Sequence, residues 1–165
     1  MAEDADQDHS RAQARAWELI NNSRSLSLST VNEEGIPLAS YAPFWRDPDG
    51  RFHILTSDLS AHTSNLKLGK ADILIIEDEG QSTEIYARER LNFSCTCREI
   101  ARSADDFDVV VTALGERQGE IVKMLCSLSD FRLFQLTPAH GVLVLGFGKA
   151  YEINSHLEIA RHITR

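Results

Sequence analysis

The chain has 165 residues, 42% hydrophobic and 25% charged, the size and balance of one globular domain that buries about 70% of its unfolded surface. That composition excludes a collagen-like, low-complexity or largely disordered protein. Seventeen Lys and Arg against twenty-five Asp and Glu leave a formal charge of -8, a field that repels a phosphate backbone and argues against a nucleic-acid partner.

Residues 1–10 are polar and read as a flexible lead-in, with Ser10 placed to cap a helix over residues 11–21. Trp17 and Ile20, three apart among alanines, mark the face that helix lays on a core. Residues 25–31, SLSLSTV, alternate with a period of two, so Leu26, Leu28 and Thr30 share one face of a half-buried strand. A turn at residues 32–37 leads to a second strand at 38–45. Asp47-Pro48-Asp49-Gly50 then supplies hairpin chemistry before a third strand at 51–56.

Residues 57–70 read as a short helix bearing Leu59, Leu66 and Leu68 and closed by Gly69. Further strands are predicted at 71–76, 82–87 and 90–101, then helices at about 105–114 and 116–128. Strands at 131–136 and 142–153 are split by Thr137-Pro138-Ala139-His140-Gly141, and residues 154–165 read as a tail with a short helix. Six or more closely spaced strands with helices at the edges predict an α+β fold built on a small antiparallel barrel occupying residues 11–153. A homodimer is the natural cover for its residual grooves.

The apolar runs at 71–76 and 141–148 fall far short of the roughly 20 residues that span a bilayer, so no membrane span is expected. An acidic start unlike a secretory leader and three cysteines at no zinc-like spacing, Cys95, Cys97 and Cys126, predict reduced thiols and a cytoplasmic location. Cys95 and Cys97 share a strand face, a poor geometry for a disulfide.

Gly146-Phe147-Gly148 begins like a dinucleotide fingerprint, but the third glycine and the following βα unit are absent, which rejects that site. His156 and His162 are six apart, about 240° around a helix, and cannot share one ion from one face. Either could be a single axial ligand. Ser60, His62 and Ser64 lie where a strand meets a helix, a place suited to an anion or simply to capping. No Ser-His-Asp set or catalytic carboxylate pair is legible.

Several short motifs together resemble one family. They are Ser40-Tyr41-Ala42-Pro43-Phe44, His62 with Asn65-Leu66, Ile76-Glu77-Asp78-Glu79, Ala87-Arg88-Glu89-Arg90-Leu91, Gly115-Glu116-Arg117 with Gly119-Glu120-Ile121, Asp130-Phe131-Arg132-Leu133-Phe134 and Gly146-Phe147-Gly148-Lys149-Ala150-Tyr151. In this order the chain is similar to the haem-utilisation (HugZ/HutZ-like) branch of the pyridoxamine-5′-phosphate-oxidase-like FMN-binding split barrels. The resemblance implies a six-stranded split barrel, a homodimer with interface sites, and haem or FMN as ligand. For haem it implies His162 as iron ligand, with His156 as the alternative, and Asp130 as the carboxylate that supports the imidazole across the dimer. For FMN it implies phosphate contacts at Ser60, His62 and Ser64. The arginine and lysines of the flavin enzymes are replaced in that stretch by Ala61, His62 and Ser64, a weaker set of donors for a dianion.

Overall fold

A computed structural model describes residues 2–164. Helix α1 (Ala2–Asn22) precedes strands β1 (Ser25–Val31), β2 (Pro37–Arg46) and β3 (Phe52–Ser57), and the short helix α2 (Ala61–Leu66) leads to β4 (Lys70–Ile76) and β5 (Arg90–Ile100). Helices α3 (Phe107–Gln118) and α4 (Ile121–Ser127) are followed by β6 (Phe131–Val144), β7 (Ala150–Ile153) and β8 (Ile159–His162). All pairings are antiparallel. The order is β3-β2-β1-β4-β5-β6-β7-β8, and β3 also pairs with β6, which closes the first six strands into a barrel.

The predicted alternation of β1 is what closes one wall of that barrel: Leu26, Leu28 and Thr30 are buried and the serines exposed. Inside, Phe44, Phe52, Phe93 and Phe134 fill the centre. A smaller apolar cluster, with Phe107, Val110, Leu114, Val122 and Leu133, packs α3 and α4 against the outside of the barrel. Arg117 donates to the carbonyls of Ile20 (2.8 Å) and Ser23, and Gln118 Nε2 donates to those of Arg24 and Phe44, both at 2.8 Å, which ties α3 to the junction of α1 and β1.

Several expectations are corrected. The first helix starts at Ala2, with Ser10 in its interior, because Asp8 accepts from the Tyr151 hydroxyl at 2.7 Å and His9 meets the Tyr151 ring edge-on. Its buried face is Ala12, Ala16, Leu19 and Ile20, while Trp17 sits at the rim under the Arg46 guanidinium. Residues 82–87 form no strand: two 3₁₀ turns, Glu79–Gln81 and Ile85–Ala87, are capped by the side chains of Asp78 and Glu84. Strand β6 runs unbroken through Pro138 and Gly141, since a bulge opposite Ser94 and Cys95 absorbs the extra residue. Gly141 is required there, because a Cβ would stand 2.4 Å from the Phe93 ring.

The predicted tail helix is instead a turn and a strand. Asn154 Oδ1 accepts from the backbone amides of His156 and Glu158, and Leu157, at φ 64°, drops its side chain into the core. The chain then pairs with β7, where Arg161 grips Glu152 through two hydrogen bonds. Pairing with an open sheet edge outweighs the local helical preference.

Candidate functional site

Two regions hold the residues singled out in the sequence, and β6 separates them. At its start β6 is bonded to β3, so the turn after β3 and the residue before β6 come together. The Asp58 amide donates to the Asp130 carbonyl at 2.7 Å, and the Ser57 hydroxyl donates to Asp130 Oδ2 at 2.7 Å. Ser60 follows in the same turn, its amide bonded to the Ser57 carbonyl, and stands at the N-cap of α2 without a capping side-chain bond. Asp130 and Ser60 are therefore neighbours. The expected helix over 57–70 is confined to six residues, and Leu59 is left in the open turn, 91% exposed.

His62 and Ser64 lie on α2, His62 half-buried and Ser64 exposed. Ser40 Oγ gives its proton to the Leu28 carbonyl at 3.3 Å, so at 3.1 Å it accepts from His62 Nδ1. Burial pushes the His62 imidazole below its usual range, so it is neutral at pH 7 with Nε2 bearing a lone pair. A lone pair cannot receive a phosphate oxygen. The donor set Ser60, His62 and Ser64 thus lacks any cation and does not fit a tightly held FMN phosphate.

Two cations do stand nearby, and sequence spacing gave no sign of them. Arg132 on β6 and Lys67 just after α2 converge on one carboxylate: Arg132 Nε donates to Asp58 Oδ2 at 2.8 Å and Lys67 Nζ to Oδ1 at 3.2 Å. The hydrogen bond from Arg132 leads the causes that hold the Asp58 carboxyl below its usual range. The only sequence signal was Arg132 within the motif that begins at Asp130.

The second region is at the far end of β6, where β7 and β8 extend the sheet beyond the barrel. His162 is exposed on β8, its ring stacked on Tyr151 with centroids 5.0 Å apart. Its Nε2 lies 2.8 Å from the Gly148 carbonyl. A carbonyl only accepts, so the proton is on Nε2 and Nδ1 is the ring's open donor position. Gly146 and Gly148 both have positive φ, and the turn they form leaves Phe147 74% exposed, one residue before the Gly148 carbonyl that His162 meets. His156 is also exposed, in the turn before β8. From Asp130 to Leu143, whose partner on β7 pairs with His162, β6 advances about 40 Å at roughly 3.3 Å per residue. One chain does not bring Asp130 and His162 together.

The thiols are unreactive. Burial pushes Cys95 far up and Cys97 up to about 12, and all three cysteines are free. Among the described residues no group of three or more His, Cys, Asp or Glu side chains could hold a metal ion, and no helix is long and apolar enough to cross a membrane.

A family profile described as pyridoxamine 5′-phosphate oxidase matches residues 12–144. The chain is 37% identical over 145 residues to the heme oxygenase HutZ of Vibrio cholerae, an alignment covering 87% of this chain and 82% of that protein. A crystal structure of HutZ, described as the heme storage protein of that organism, superposes with a TM-score of 0.73 at 35% identity, over 76% of this chain and 89% of that one. The crystal structure of Campylobacter jejuni ChuZ superposes with a TM-score of 0.83 at 27% identity, over 93% of this chain and 63% of that one.

Proposed function

The chain belongs to the pyridoxamine 5′-phosphate oxidase family, and from that premise we propose that it is a haem-binding protein of haem-iron utilisation, acting as a homodimer in the cytoplasm. The likeness to HutZ, which bears the name heme oxygenase, supports haem over FMN. So does the cation-free α2 seat. Free cysteines support the reducing compartment.

The observation that carries the reading is His162. Its exposed imidazole has one tautomer selected by the Gly148 carbonyl, which leaves Nδ1 to ligate iron and makes the ring a better electron donor. Bound haem supplies dioxygen binding and electron transfer, which the side chains lack. Stacking on Tyr151 fixes the ring plane, and exposed Phe147, next to Gly148, offers apolar cover. Because Asp130 lies at the other end of β6, its part in this site comes from the second copy: there it exchanges the Ser57 hydroxyl for the Nε2–H of His162, taking the place of the Gly148 carbonyl. The proposed reaction is oxidative opening of the bound macrocycle with an external electron donor.

Haemin titration followed at the Soret band tests the ligand. Wild type should saturate near one haem per chain, His162→Ala should bind at least about tenfold more weakly with an altered spectrum, and His156→Ala should be unchanged. An unaltered His162→Ala spectrum overturns the assignment. Loss of the Soret band on adding reductant under air, with release of iron, separates an oxygenase from a storage protein.

A further inference from the structure

The turn between β3 and α2 carries a feature that the His162 site does not use. Arg132 and Lys67 come from different elements, and both point at the Asp58 carboxylate, which sits between them as a bound acid would. The three side chains are partly open to water, at 37%, 45% and 31% of their full exposure, so the cluster is reachable. Glu99 is the other acid beside Arg132, 3.7 Å away, and Asp130 is occupied by the Ser57 hydroxyl. The residue that follows Asp58 is Leu59, 91% exposed. An apolar residue beside the shared carboxylate suits a ligand with a flat apolar body and a carboxylate edge.

We propose that Arg132 and Lys67 form a carboxylate-binding pair for an amphiphilic acid, and that Asp58 is an internal stand-in which the ligand displaces. Displacement is a straight exchange of one carboxylate for another on the same two cations, so it needs no rearrangement of the barrel. Asp58 lies in a turn, where its side chain can swing to water. The inference rests on the haem-binding reading only for the identity of the acid, a haem propionate.

Three probes on four proteins test it: haemin, haemin dimethyl ester and inorganic phosphate, each with wild type, Arg132→Ala, Lys67→Ala and Asp58→Asn. Removing either cation should weaken haemin roughly tenfold and leave the ester unchanged. Asp58→Asn should tighten haemin several-fold, a gain that misfolding cannot produce, and should also leave the ester unchanged. Equal haemin affinity in all four proteins overturns the carboxylate pair while leaving the His162 site standing. If haemin fails to bind any of them, the haem reading fails and phosphate decides. Protection of Asp58→Asn by millimolar phosphate in a thermal melt, absent from Arg132→Ala, then upholds the pair as a phosphate site, and equal melts overturn it.

Discussion

His53 and Asp47 are buried titratable groups that the site does not use, and they predict an acid-sensitive fold. His53 is 2% exposed, lies under Trp45 and donates from Nε2 to Asp47 Oδ2 at 2.9 Å, while its Nδ1 is buried with no partner. Desolvation lowers the His53 pKa and outweighs the attraction of Asp47, with Arg51 adding repulsion and Asp106 a weaker pull. Burial opposes ionisation of Asp47 too, but hydrogen bonds from His53 and Arg51 hold its carboxyl below the usual range. The folded state therefore binds fewer protons on His53 than the unfolded state does. Its stability is complete above the ordinary histidine pKa of about 6.5 and falls as pH drops through that value towards the lower folded one. The urea midpoint should hold level from pH 8 to 7 and decline from pH 6.5 to 5, and a His53→Gln protein should lose most of that decline. Gly141→Ala tests a different contact. A methyl 2.4 Å from the Phe93 ring must push the ring or the strand aside, for a loss of about 1–3 kcal/mol in chemical denaturation.

Among the elements, α3 is held by its apolar face and, at its end, by two polar side chains, Arg117 and Gln118. Arg117→Ala should cost about 1–3 kcal/mol, because the Ile20 and Ser23 carbonyls lose a charged donor at a half-buried junction, and the loss should appear as an earlier denaturation midpoint. What the sequence disclosed follows the range of the forces involved. β1 was legible because one buried face imposes a strict alternation on SLSLSTV. β6 was not legible as one strand, since Pro138 and Gly141 carry turn chemistry in any local reading. Only pairing with β5 reconciles them with a sheet: β6 bulges opposite Ser94 and Cys95, and the Phe93 ring packs where Gly141 has no side chain. The segment of β8 carries a helical local pattern for the same reason: its partner edge on β7 and the socket for Leu157 are tertiary. At the site, motif order indicated Asp130 and His62, but not that burial would lower the His62 pKa beside Ser40 or that Asp58 and Arg132, 74 residues apart, would meet.

On the scale of the whole molecule, the length of β6 bears on the proposed dimer. If the proposed site uses both Asp130 and His162, it takes them from opposite ends of two copies, and each half-site is deficient alone. Mixing Asp130→Asn with His162→Ala chains, and refolding them together, should restore the wild-type Soret spectrum to half the sites of every mixed dimer. A mixture with only the sum of the two parent spectra would show that each chain binds its ligand unaided.

The six-strand ring shares its hydrogen bonds around a closed circuit, but β8 hangs from one edge of β7 by a four-residue ladder and the Leu157 anchor. A ladder of that kind opens by local fraying, at a free energy well below that of global unfolding. Amide hydrogens of residues 159–162 should therefore exchange with deuterium long before those of β5 and the β3-paired half of β6. Because His162 rides on that strand, the proposed haem site would release its ligand by peeling outward while the barrel stays folded. Ligand release then becomes a hinge event with its own clock, independent of the stability of the protein that carries it.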